Sequence, residues 1–545
     1  MAALFTTPKR NDKTSGAHFV EPDVRRRTLL ARGSWRRVTR RIVVGAVCAL
    51  TVSSLLMPSV SLAAEWVDVG GVRHEAAAGP TGDAAGTWSW DGADDMKLNG
   101  YNGGAIEAVG KLNVNYSGNN TVTNDNGCGI SVTKDTDGNA ELNILGDASS
   151  TLNVASSSDA IMSEGDINID GAGTVNATST EFDAIDAGGN LTIKGGSTVE
   201  ANSIEDVAVW ADGNIDISGG SQVKANSEGD LAVDAEGSLT VTNASLNASG
   251  VEYGVYGCKG VTLDHATVTV RASAGGGWQT VALITDEDDI VIKNGSMVDA
   301  FAEGEFSTAI STRNHNPNEA GGHIYISDSV VKAIARYAEI GGDGPDCYSA
   351  DLDGEITPER RGVNIGIFAQ TSEGIMPATI SIVRSKVTAE GDTAAIFALA
   401  MSADGKAIGT IEIEGASILT PEGGKVIDYR HKEELSDGTV YEAGQAVGTG
   451  DAVIDSPYDD AVAKRAVIAP SEETKPEEKP GETKPEGSKP EGTKTTKTVA
   501  VAATGAKTTG KLAATGDASS AAIVAAALAG TAAIAAGAVV SRKRS

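Results

Sequence analysis

Residues 185–218 read IDAGGNLTIKGGSTVEANSIEDVAVWADGNIDIS, and this stretch decides the fold. Apolar residues stand two apart at Ile185/Ala187, Leu191/Ile193, Val199/Ala201, Val209/Ala211 and Ile215/Ile217. Alternation of period two marks short strands with one buried face. Gly195-Gly196-Ser197 and Gly219-Gly220-Ser221 punctuate them as turns. Working outward, the first pair recurs at Ile167/Ile169, Leu191/Ile193, Ile215/Ile217, Leu239/Val241 and Val261/Leu263, in steps of 24, 24, 24 and 22 residues. A second column runs through Val175, Val199, Val223 and Leu246, and a third through Ile185, Val209, Val233 and Val255. Three strands per coil, with like residues stacked about 4.8 Å apart, make an all-β, three-sided parallel β-helix: a solenoid of about 24-residue coils.

The first column continues at Leu112/Val114 and Leu142/Ile144 on one side, and at Ile290/Ile292, Ile324/Ile326, Ile380/Ile382 and Ile411/Ile413 on the other. The last steps are 34, 56 and 31 residues, so loops interrupt the later coils, the largest between about 336 and 361. The leucine-rich pattern L-x-x-L-x-L-x-x-N and the calcium-binding nonapeptide G-G-x-G-x-D are absent. Open solenoid ends expose core and strand edge, so caps are expected. Residues 64–110, with Trp66, Trp88, Trp90 and Tyr101, suit the N-terminal cap, 111–425 the β-helix, and 426–469 the C-terminal cap.

Composition agrees. The chain of 545 residues holds 66 Gly and only 4% aromatics, as narrow coils filled by small side chains require. The net charge is −30, while residues 1–63 carry 11 Lys and Arg against 3 acidic residues. The part between the two basic ends therefore holds about −40, which excludes nucleic acid as a partner. Cys48 falls in the leader, and Cys128, Cys258 and Cys347 have no metal-site spacing; a Cys128–Cys258 bridge stays open.

Both ends carry signals. Basic residues up to Arg41, an apolar run from Ile42 to Leu56 and Ser61-Leu62-Ala63 have the order of a secretory signal peptide, so 1–63 is expected to be a disordered leader cut after Ala63 or Ala64. Pro476, Pro480, Pro485 and Pro490 recur among Lys, Glu and Gly, making 470–511 an extended linker that builds no core. At about 3 Å per residue it spans over about 100 Å. Residues 512–545 begin Leu512-Ala513-Ala514-Thr515-Gly516 and continue to an apolar run, 521–540, long enough for a transmembrane helix, then to Arg542-Lys543-Arg544.

This tail resembles the cell-wall sorting signal of Gram-positive surface proteins, in the LAxTG form recognised by class E sortases. The resemblance implies cleavage between Thr515 and Gly516, covalent transfer of Thr515 to peptidoglycan, and only transient membrane contact through the C-terminal helix. Gly86-Thr87-Trp88-Ser89-Trp90-Asp91-Gly92, then Leu98-Asn99-Gly100-Tyr101-Asn102-Gly103-Gly104, resembles the opening of bacterial surface β-helix proteins. Those are right-handed coils of an adhesin-like, carbohydrate-binding-domain-containing family.

Chemistry is sparse. Right-handed β-helices also host pectate lyases and polygalacturonases, but N-T-D followed by D-D, G-H-G and R-I-K are absent. Asp288-Asp289, and His315 and His323 with Arg313, are expected to be surface loop residues. Residues 349–360 resemble an EF-hand loop but place Ser349 and Arg360 where Asp and Glu are wanted. No metal and no cofactor are expected. Trp210 and Trp278 are the candidate sugar-stacking platforms. The expectation is a non-enzymatic, wall-anchored adhesin on the cell surface, with a β-helix lyase or hydrolase, or a purely structural stalk, as alternatives.

Overall fold

The computed structural model describes residues 63–273, 279–314, 322–338, 364–371, 378–400, 409–430, 433–434, 440–441, 444–445, 451–457 and 462–471. The leader to Leu62, the linker beyond Ser471, Leu512 to Gly516, the 521–540 run, Trp278, His315, Cys347 and the 349–360 loop lie outside them. Among the described residues no helix is long and apolar enough to cross a membrane. The one helical element there is the 3-10 turn Ala76–Ala78.

The chain forms three long sheets, the first of 14 strands, the second of 13 and the third of 16, and each turn of the chain contributes one strand to each. The first sheet stacks the first sequence column in parallel register: Ile167 on Leu191, Ile215, Leu239 and Val261 in turn. Across the looped coils the same register carries Val261 to Ile290, Ile324, Ile380 and Ile411. The second sheet aligns Val175, Val199, Val223 and Leu246, and the third Ile185, Val209, Val233 and Val255. A one-residue slip would turn every one of these side chains to solvent, so the apolar columns fix the register. They form one continuous core running from Ala64 to Ile468.

Polar side chains join the coils on the outside. On the first sheet, Asn143 Nδ2 donates to Asn113 Oδ1 at 2.8 Å and Asn168 Nδ2 to Asn143 Oδ1 at 2.9 Å. At the corner after the second sheet, buried Ser203 donates to the Phe182 carbonyl of the preceding coil at 2.7 Å and accepts the Asp206 N–H. Ser227 repeats both bonds one coil on, with Asp206 and Asp230. These bonds satisfy the corner peptide groups that the sheets leave over.

Small residues set how closely the walls approach. Ala160, Ala184, Ala208 and Ala232 precede the third-sheet strands and are fully buried. The same place holds glycine at 129 and 254, where an added Cβ would stand 2.3 Å from Val154 Cγ1 and Val270 Cγ1 respectively. Elsewhere in that facing second-sheet column stand Ala177, Ala201, Ala225 and Ala248. At these two places valine faces glycine, and in the coils between them Ala177, Ala201, Ala225 and Ala248 face Ala160, Ala184, Ala208 and Ala232.

Antiparallel strands close the ends. Trp66–Val69, paired with Val72–Glu75, lies on Ile106–Val109, and Trp88–Trp90 lies on Asp95–Asn99. Trp90, 1% exposed, covers the core there. Parallel pairing already begins at Asp95–Asn99 and Ile106–Val109, ahead of residue 111. At the other end Arg465–Pro470 lies antiparallel on Lys386–Glu390, and Asp451–Ile454 on Ala394–Ala400.

Candidate binding face

Between the two inward residues of each short third-sheet strand stands one outward residue. In successive coils these are Asp186, Trp210, Asp234 and Tyr256, in direct register. Met162 precedes them, and Ile284, Ser311, Phe368 and Phe397 follow. The face thus passes from an acidic and aromatic stretch to an apolar one.

These side chains are outside the coil, yet mostly covered: Trp210 is 8% exposed, Asp234 7% and Tyr256 5%. The Trp210 indole N–H donates to Asp212 Oδ1 at 3.1 Å. Little of the Trp210 ring is therefore open to solvent, and Asp186 and Asp234 stand in register with it on the adjacent coils. Two coil spacings put the backbones of those aspartates about 9.6 Å apart, comparable to the length of a disaccharide.

Next along the face is a buried ionic cluster. The Tyr256 hydroxyl donates to Asp286 Oδ2 at 3.1 Å, and Arg313 Nε meets Asp286 Oδ1 at 3.2 Å. Arg313 also donates to Gln279 Oε1 at 2.7 Å and to the Tyr253 hydroxyl at 3.3 Å. Tyr253 and Tyr256 stack with ring centres 6.1 Å apart. The Arg313 side chain is 17% exposed and that of Asp286 2%. Burial works against the guanidinium charge, but Tyr253 and Asp286 outweigh it and hold its pKa above the usual arginine value. The sequence reading, which put Arg313 in a surface loop, missed this cluster.

Asp159, Asp183 and Asp186 bring carboxylate oxygens within 4.8 Å of one another, and Asp91, Asp94 and Asp95 do the same at the N-terminal end. Both sets already serve the backbone. Asp159 accepts the Asp183 N–H, Asp183 accepts the Val207 N–H, and Asp91 accepts those of Ala93 and Asp95. Cys128 and Cys258 are thiols rather than halves of one disulfide, with Cys128 Sγ 3.6 Å from Asp159 Oδ2. Several coils separate Cys128 from Cys258, far beyond disulfide reach, which closes the bridge left open by the sequence.

Asp289 and His323 stand on neighbouring coils at the corner before the first sheet. The His323 N–H donates to Asp289 Oδ1 at 2.9 Å, and His323 packs near Tyr325. Burial raises the Asp289 pKa, and Asp288 beside it adds to the rise against the opposing effect of His323.

No protein-family model matches the chain, and no curated protein and no solved structure matches it.

Proposed function

We propose that the chain is an exported protein, attached covalently to the wall of a Gram-positive cell, whose β-helix is a non-enzymatic adhesin for glycans or a glycan-bearing host surface. The observation that carries the binding assignment is the in-register column Asp186, Trp210, Asp234 and Tyr256. Carboxylates accept hydrogen bonds from sugar hydroxyls, the faces of aromatic rings pack on sugar C–H groups, and coil spacing repeats both along one line. Export and attachment rest on the basic-apolar-small leader and on Leu512-Ala513-Ala514-Thr515-Gly516 with the apolar, basic tail after it. A class E-like sortase is the processing partner and peptidoglycan the covalent one.

A glycan array probed with the purified protein tests the assignment. Saturable binding is expected, with a loss of about tenfold or more in Asp186→Asn/Asp234→Asn at unchanged far-UV circular dichroism. Absence of any bound glycan, or full binding by the variant, would replace it with a structural stalk. The enzymatic alternative is favoured by one feature, the raised pKa of Asp289 beside His323, which suits a general acid. Release of reducing or unsaturated ends from polyuronates by the wild type, but not by Asp289→Asn, would establish it instead.

A further inference from the structure

The three sheets do not end level. Past the last complete coil, the second sheet gains Arg465–Pro470 and then Ala416–Thr420. The third gains Asp451–Ile454, Val426–Arg430 and Gly444–Gln445. The first gains only Gly409–Glu414, its terminal strand. Among the described residues, the place beside Gly409–Glu414 is therefore a notch one strand wide, with Ala416–Thr420 and Val426–Arg430 as the second- and third-sheet strands at its level.

The edge of this notch is ready for pairing. The Arg384 N–H donates to the Glu414 carbonyl at 2.8 Å, so Glu414, and by alternation Glu412 and Thr410, direct their peptide groups back into the sheet. Those of Ile411 and Ile413 point into the notch, where no described backbone group pairs with them. The floor is apolar and incompletely covered. Ile411 is 7% exposed, whereas Ile380, stacked beneath it, is 0% exposed; Ile413, Ile418 and Val426 are only partly buried. Glu412 and Glu414 stand exposed along the rim.

We infer that this notch receives one extended strand of a partner polypeptide whose apolar residues alternate with lysine or arginine. Backbone bonds to Ile411 and Ile413 would supply affinity and the alternate apolar side chains would complete the core, as in strand addition to a sheet edge. The acidic rim selects a basic strand and repels a second copy of the same edge, whose protruding third-sheet strands would also collide with it. This partner contact is independent of the glycan face, which lies along a different sheet.

Fluorescence polarisation of the full chain with a short labelled peptide of alternating lysine and valine tests it. Saturable binding is expected, abolished when alternate peptide nitrogens of the probe are methylated. Glu412→Lys/Glu414→Lys is expected to weaken binding about tenfold or more and to admit the glutamate–valine peptide. No saturable binding to the wild type, equal binding of the methylated probe, or indifference to the charge reversal would each overturn the inference.

Discussion

The pairing of valine with glycine across the narrow core yields a sharp prediction. Ala225 occupies the column that holds Val154 and Val270 in other coils, and Ala208 takes the place of Gly129 and Gly254 on the coil before it. At Gly254 a methyl would stand 2.3 Å from Val270 Cγ1, well inside van der Waals contact. Ala225→Val should therefore strike the Ala208 methyl and cost about 1–3 kcal/mol as an overpacked core. Ala208→Gly alone removes one buried methyl and frees the unfolded backbone, at about 1–2 kcal/mol together. Were the sites independent, the double variant would cost about 2–5 kcal/mol. Because Ala208→Gly/Ala225→Val recreates a pair the protein already uses twice, a total near 1 kcal/mol is expected, with a coupling of at least about 1 kcal/mol. Urea unfolding followed by far-UV circular dichroism measures all four corners of the cycle. Additivity to within about 0.5 kcal/mol would refute the proposed contact.

Arg313→Met should cost about 3–5 kcal/mol in the same assay, because Asp286, 2% exposed, is left charged without its cation; a neutral result would mean the cluster bears no weight. For Asp289 the folded pKa lies above the ordinary carboxyl value, so ionisation opposes folding: stability should fall as pH rises from about 3.8 through the folded pKa. Asp289→Asn, whose amide oxygen still accepts the His323 N–H, should remove that fall, and an unchanged pH profile of unfolding would count against it. Burial pushes the Cys258 thiol up to about 11. Mass spectrometry after iodoacetamide treatment near pH 8 should find Cys258 labelled at least about tenfold more slowly in the folded than in the urea-unfolded chain.

The inward half of this protein was legible in its sequence. A residue facing the inside of a coil is apolar in nearly every coil, so Leu191 over Ile215 over Leu239 writes itself into the spacing. Even the steps of 34, 56 and 31 residues resolve into the stacked Ile290, Ile324, Ile380 and Ile411. The outward half was legible only in part. Asp186, Asp234 and Tyr256 stand at the same repeat as Trp210, and that repeat could have found the column. Its coverage could not be read, because it depends on groups far apart in the chain, such as Arg313 reaching Tyr253 sixty residues earlier. Ala466-Val467-Ile468 reads as a strand, but its partner was equally hidden: Arg465–Pro470 pairs back on Lys386–Glu390 with no repeat to announce it.

Wall attachment is tested most directly by mass spectrometry of the C-terminal peptide after muramidase digestion of isolated walls. The expected species ends at Thr515 and carries a peptidoglycan fragment on its carboxyl group. A peptide running on past Gly516, or recovery of the protein without wall digestion, would contradict the assignment.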